Sequence, residues 1–123
     1  MDAVFINHTN HCSEYWSEEE RHAAAALGRI VDMAFPDILP SASEAEIEQL
    51  AEAMAQQIAA QEPAAVLCQG EYTYTYALVT KLLARGICVM AACSERVVEE
   101  RREPDGSTRR ISQFRFTQFR RYG

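Results

Sequence analysis

His8, His11 and Cys12 fall within five residues, and the chain's one tryptophan, Trp16, follows four residues later. An imidazole pair of this kind serves as general base and acid, or orients a ribose hydroxyl. With Cys12 it also has the donor types of a metal site. Zinc normally needs three or four well-placed ligands, however, and His-x2-His-Cys supplies no recognised scaffold, so no metal is expected. Asn7 and Asn10 flank the pair and either cap a strand end or face ribose or phosphate. Thr9 and Ser13 either donate to a phosphate or cap a turn. Tyr15 and Trp16 close the stretch with rings that pack or cover a base.

Two further polar segments interrupt apolar runs. Gln69-Gly70-Glu71-Tyr72 follows AVLC at 65–68, and Ser94-Glu95-Arg96 follows ICVMAAC at 87–93. Gly70 lets the backbone approach something closely or only turns the chain. Glu71 is a base, a hydroxyl anchor or a helix N-terminal charge. Tyr72, Tyr74 and Tyr76 alternate between packing and stacking roles. Arg96 is the candidate for phosphate contact, its alternative being a salt bridge to Glu95 or Glu99.

The elements that position these residues alternate regularly. Residues 3–7 read as a strand that is apolar almost throughout, as expected for one covered on both faces. Ser17 with Glu20 forms a capping box, and the helix runs through His22 and the alanines 23–26 to about Gly28. A second strand covers 30–34, and FPDILP is a turn. Ser43 and Glu46 repeat the capping box ahead of a helix ending near Gln61, with Ile47, Leu50, Met54 and Ile58 as its apolar face. A third strand at 65–68 leads to a helix starting at Thr73 or Thr75 and stopping at Gly86. A fourth strand covers 87–93. Around Pro104-Asp105-Gly106, VVEERRE and STRRISQFRF read as a β-hairpin with the tail TQFRRYG beyond it.

This order predicts an α/β, Rossmann-like fold: a mostly parallel sheet flanked by helices, with a C-terminal β-hairpin. Residues 1–123 form one domain, with a βαβαβαβ core over 1–95 and an Arg-rich hairpin and tail over 96–123. Ligands in such sheets bind beyond the carboxyl ends of the strands, where Asn7–Trp16, Gln69–Thr75 and Ser94–Arg96 are expected to share one rim. No GxGxxG follows the first strand, so a nicotinamide or flavin dinucleotide is not expected, and there is no GxxxxGK[ST] loop.

Composition narrows the classes. With 123 residues, 48% hydrophobic, the chain suits one core. No apolar run approaches the ~20 residues of a membrane span. MDAVFI lacks the positive n-region of a signal peptide, which points to the cytoplasm. Cys12, Cys68, Cys88 and Cys93 form no CxxC and read as mostly buried free thiols. The net charge of −6 is uneven: residues 1–95 carry four Lys/Arg against fourteen Asp/Glu, and residues 96–123 carry eight Arg against four acids. An acidic body with an arginine-rich end argues against duplex DNA and leaves room for a small anionic ligand or an acidic partner.

FINHTNH at the end of strand one, VLCQGEYTYT after the second long helix and SER after strand four together resemble the small CARF-like accessory proteins of type III CRISPR systems, including the ring-nuclease group. CARF denotes a CRISPR-associated Rossmann fold. No HEPN-type Arg-x4–6-His motif is present, so the chain does not resemble the ribonuclease effector. The resemblance implies a homodimer that binds a cyclic oligoadenylate across its two-fold axis. Such members cleave the ring or sequester it. Family sites use the strand-one and strand-four loops, so it also implies a ligand site at Asn7, His8, Thr9, Asn10, Ser94, Glu95 and Arg96, to which the expected rim adds Trp16, Gln69, Gly70 and Tyr72. Cleavage would be metal-independent, by 2′-hydroxyl attack on the adjacent phosphate, with His8, His11 or Glu71 as base and Arg96 as cation. A nucleoside deoxyribosyltransferase- or N-glycosidase-like enzyme using Glu71 is the alternative. A third reading is an interaction module working through the Arg-rich end.

Overall fold

The computed structural model describes residues 2–123; Met1 of the MDAVFI segment lies outside them. Five strands and three α-helices follow in the order β1 (Val4–His8), α1 (Glu18–Ala25), β2 (Arg29–Asp32), α2 (Glu44–Ala60), β3 (Ala65–Cys68), α3 (Tyr72–Ala84), β4 (Val89–Arg102) and β5 (Thr108–Arg121), with a 3-10 turn at Ser13–Tyr15. They make one mostly parallel sheet in the order β2-β1-β3-β4-β5. β1 pairs in parallel with β2 and β3, β3 pairs in parallel with β4, and β5 runs antiparallel to β4.

Strand alternation divides the core between the two faces. Ile6, Val66, Cys68 and Val89 pack with Ala51, Ala55 and Ile58 of α2 and Tyr74, Leu78 and Leu82 of α3. Phe5, Ala65 and Leu67 face the other way, against Ala24 of α1 and the partly buried Trp16 and Phe119. The steps from β2 to β3 and from β3 to β4 both move across the sheet in one direction, and that from β1 to β2 moves in the other. Right-handed crossovers therefore put α2 and α3 on one face and α1 on the other.

Helix ends follow local chemistry. Ser43 and Glu46 make a reciprocal capping box on α2, whereas at α1 only the Ser17 side chain accepts, from the Glu20 N–H. The buried stripe of α2 is Ala51, Ala55 and Ile58, and Leu50 is 37% exposed. Small residues let the helix approach closely, so the contact line is displaced from the one drawn through the large side chains. Gly28 is not a helix stop, because α1 ends at Ala25 with Ala26 as its C-cap. A Cβ at Gly28 would lie 2.8 Å from the Val4 carbonyl carbon, so glycine is required there by close backbone approach.

The largest difference from expectation is β4. It does not end at Cys93, and Ser94-Glu95-Arg96 is not a loop. The strand continues to Arg102, paired with β5 from Met90↔Arg121 to Arg102↔Thr108. Residues 117–121 are likewise not a free tail, since Phe119 pairs with Ala92. Polar side chains do not end a strand whose backbone has a partner. β3 pairs with β4 only at Val66↔Val89 and Leu67↔Met90, so the upper parts of β4 and β5 form a two-stranded ribbon past the parallel strands. The register shifts between Cys93 and Ser94, leaving Thr117 as an extra residue on β5. This bulge puts Phe116 and Phe119, three residues apart, on one face with ring centroids 4.9 Å apart.

Candidate functional site

The chain leaves β1 toward β2 and leaves β3 toward β4, so the loops after β1 and β3 part company at the carboxyl edge. In an open parallel sheet this is where ligands bind. A cleft of about 820 Å³ opens there. Thr9, Asn10, His11 and Trp16 line it from the first loop, Leu67, Gln69 and Gly70 from the end of β3, and Ser94, Phe114, Arg115 and Phe116 from the ribbon.

The first loop is tied down from beneath. Asn7, 2% exposed, donates through Nδ2 to the His11 carbonyl (2.8 Å) and to Asp32 Oδ1 (2.7 Å), while its Oδ1 accepts from Thr9 Oγ1 (2.9 Å). Asp32 also accepts from the Ser13 N–H (3.0 Å) and the Ser13 hydroxyl (2.7 Å). Arg21 donates to the Ser13 and Glu14 carbonyls. Burial pushes the Asp32 carboxyl up, but the bonds from Asn7, Ser13 and Cys12 outweigh it and hold the group below the ordinary aspartate value. Asn7 therefore builds the loop and does not face a ligand. Asp32 is a member of this arrangement that the sequence did not reveal, because its partners lie 19–25 residues away.

His8 is fully buried at the end of β1. Its Nδ1 lies 3.0 Å from the Met33 carbonyl and its Nε2 2.8 Å from the Tyr74 hydroxyl. A carbonyl only accepts, so Nδ1 carries the hydrogen and Nε2 accepts from Tyr74. Burial pushes the imidazole below its usual value, against the opposing influence of the Met33 carbonyl. With both nitrogens engaged and no exposure, His8 is withdrawn from ligand contact and His11 is the exposed histidine of the pair. A Cβ at Gly70 would fall 2.2 Å from Phe35 Cζ. That ring packs against both His8 and Tyr74. Gly70 therefore serves close packing.

Glu71 is the N-cap of α3 and accepts from the Thr73 and Tyr74 N–H groups. The helix consequently starts at Tyr72, ahead of Thr73 and Thr75. The bond from the Thr73 hydroxyl is the main reason its carboxyl sits below the ordinary value. Glu71 borders a separate groove with Ile38, Leu39 and Ile47, away from His11. Tyr72 is 90% exposed and does not line the main cleft.

Gln69 faces the cleft's base, yet its amide is committed. Oε1 accepts from the Ala92 N–H (2.7 Å) and Nε2 donates to the Ala92 carbonyl (3.4 Å). The side chain thus stands in for the next residue of β3 where the main-chain ladder has stopped. Ser94 lines the cleft, whereas Glu95 and Arg96 lie further along the ribbon and outside its wall. Arg96 donates through Nε to Ser112 Oγ (2.8 Å). Arg115, two residues from the bulge, borders the cleft along β5, but strand alternation turns its side chain away from the face that carries Phe114 and Phe116. On the opposite wall Glu20 is half-buried, and desolvation raises its carboxyl above the ordinary value. The signal for Phe114 and Phe116 is the pairing of β5 along the whole of β4, which a turn at 104–106 alone does not give.

Among the described residues no three His, Cys, Asp or Glu side chains gather as a metal site, and no helix is long and apolar enough to cross a membrane. All four cysteines are free: Cys68 is buried, with its thiol pushed up to about 12 by burial, and Cys12 is exposed. Comparison with curated proteins and with solved structures gives no significant match. A family model described as the Uncharacterized protein MJ1673 family matches residues 3–120, and the chain belongs to that family.

Proposed function

We propose that the chain is a cytoplasmic, CARF-like Rossmann protein that binds a cyclic oligoadenylate, cyclic tetra-adenylate first among them, as a homodimer. It opens the ring without a metal and so switches off type III CRISPR signalling. The observation that carries this reading is the make-up of the cleft at the carboxyl edge. A loop fixed by Asn7 and Asp32 presents Thr9, Asn10 and His11, and the facing ribbon presents Phe114 and Phe116, with Arg96 paired to Phe114 on the same face. Hydroxyl and amide groups suit ribose, rings suit bases and a guanidinium suits phosphate. A ring of four nucleotides has rotational symmetry of its own, which a C2 pair of clefts matches.

In the reaction, His11 takes the proton of a ribose 2′-hydroxyl as that oxygen attacks the adjacent phosphorus. The P–O5′ bond breaks, the leaving 5′-oxygen takes a proton from solvent water, and a 2′,3′-cyclic phosphate remains. Arg96, the sequence-based candidate, stabilises the charge that develops on the phosphoryl oxygens. It lies two cross-strand pairs beyond Ser94, on the ribbon face that carries Phe114 and Phe116, and serves the outer part of the ligand. The N-glycosidase-like alternative rested on Glu71, whose carboxylate is occupied in capping α3.

The test is incubation of pure protein with cyclic tetra-adenylate in chelator, with products read by mass spectrometry. Linear fragments ending in 2′,3′-cyclic phosphate are expected, and His11→Ala should slow their appearance by roughly 10²–10⁴. Tight binding of an unchanged ring would reduce the function to sequestration. Absence of binding would end the proposal.

A further inference from the structure

An aromatic file runs from the core out along the ribbon. Phe5 lies 6.3 Å from Trp16 and 5.3 Å from Phe119, measured between ring centroids, and Trp16 lies 6.4 Å from Phe119. Phe119 passes the contact on to Phe116 at 4.9 Å. The inner members pack against the α1 face of the sheet. The file does not end there. Phe116 pairs with Ser94 and Phe114 with Arg96, so Phe114 continues on the same face two pairs further out. Phe114 is 75% exposed and still lines the cleft. A large ring held at the mouth of a cleft has no part in the core, and its exposure costs free energy that a planar ligand would recover.

Its surroundings specify the ligand. Arg96 is the cross-strand partner of Phe114, and its Nε bond to Ser112 Oγ steadies the guanidinium. Among the described residues no carboxylate pairs with Arg96. An aromatic face beside an uncommitted guanidinium is complementary to a base carrying a phosphate.

We propose that Phe114 and Phe116 form a stacking platform for a purine base of the ligand, with Arg96 set for the phosphate attached to it. The ribbon is then a binding element. The inference rests on the proposed function and adds to it which side chains hold the base.

Titration calorimetry with cyclic tetra-adenylate, cyclic tetra-uridylate and linear tri-adenylate tests it on the parent, Phe114→Leu and Phe114→Tyr. Phe114 is exposed, so all three proteins should melt alike. Stacking predicts that Phe114→Leu binds the adenylates roughly five- to a hundredfold more weakly, and that Phe114→Tyr stays near the parent. It also predicts that the parent prefers adenylate to uridylate, and that Phe114→Leu narrows this preference. Equal binding by parent and Phe114→Leu, or equal losses in both variants, would overturn the platform while leaving the ring-binding proposal standing. If the parent binds tri-adenylate but no ring and the Leu/Tyr difference persists, the platform stands and the cyclic ligand is wrong. A parent that binds neither adenylate overturns both.

Discussion

The two faces of the sheet are finished in different ways. On the α2/α3 face the buried polar groups near the carboxyl edge are engaged, except the Thr75 hydroxyl of α3, which has no partner among the described residues. His8 bridges Met33 and Tyr74, Glu71 caps α3, and the Tyr122 hydroxyl donates to the Cys68 carbonyl. On the α1 face a short helix of eight residues covers only part of the sheet, and the cleft takes the remaining space. There His11 and Phe114 are exposed, and neither His11 nor the half-buried Glu20 has an ion-pair partner among the described residues. One face holds the fold, and the other leaves side chains available. The sharpest way to break this comparison is to cut equally deep on both. Leu78→Ala, on the filled face, should cost about 2–5 kcal/mol. Trp16→Ala removes a larger side chain from the α1 face, but one that is only half-buried, and should cost less. Urea denaturation of the two variants decides it, and a Trp16→Ala loss equal to or above that of Leu78→Ala would show that the α1 face is equally structural.

Much of this division could be read from the sequence, and the parts that could not share a cause. The parallel strands were legible because apolar runs of four or five residues alternate with capped helices. Ser43 with Glu46 located the start of α2 through a contact three residues long. The loop after β1 was legible as a wall at the carboxyl edge, but the separate placements of its residues were not. His8 and His11 are three residues apart, yet one lies beneath the sheet edge and the other above it. What separates them is strand parity: Ile6 and His8 point to the α2/α3 face, where Tyr74, 66 residues away, waits. Ending strand four at Cys93 failed for a similar reason. Its continuation depends on a partner, β5, whose pairing is set by long-range register and not by the polarity of Ser94-Glu95-Arg96.

His8 gives the next test, through pH. Its folded value lies below the unfolded value of about 6.5. Below about pH 6.5 the unfolded chain therefore binds a proton that the folded chain refuses. Stability should fall as the pH drops through that value and level off below the folded one, by up to about 1.4 kcal/mol per pH unit. The Met33 carbonyl and the Tyr74 hydroxyl face the ring, and Phe35 covers it. In urea titrations between pH 7.5 and 5, His8→Gln should lose much of this slope, and His11→Gln, at an exposed position, should keep it. Equal slopes in all three proteins would mean that His8 is not buried as a neutral ring. That would also reopen it as a base in the cleft.

The smallest expected effect comes from making the same change on each face. Ser43→Ala removes a hydroxyl that accepts from the Glu46 N–H in a reciprocal capping box, and Ser17→Ala removes one that accepts from the Glu20 N–H with no reciprocal bond. Caps of this kind are worth about 0.5–2 kcal/mol. Ser17→Ala should sit at the lower end, because only one of the two bonds is present to lose. The ranking should invert at the cleft. Ser17 and Glu20 are among its lining residues, and α1 has only two turns with which to resist fraying. Backbone amide exchange should therefore quicken in residues 18–21 of Ser17→Ala, and adenylate binding should weaken slightly. Ser43→Ala should lower the melting temperature further yet leave binding unchanged. If the better-capped helix proved to be the one that matters to the ligand, the division of labour between the two faces would be wrong. The groove beside Glu71 and Ile47 would then replace the cleft as the site to pursue.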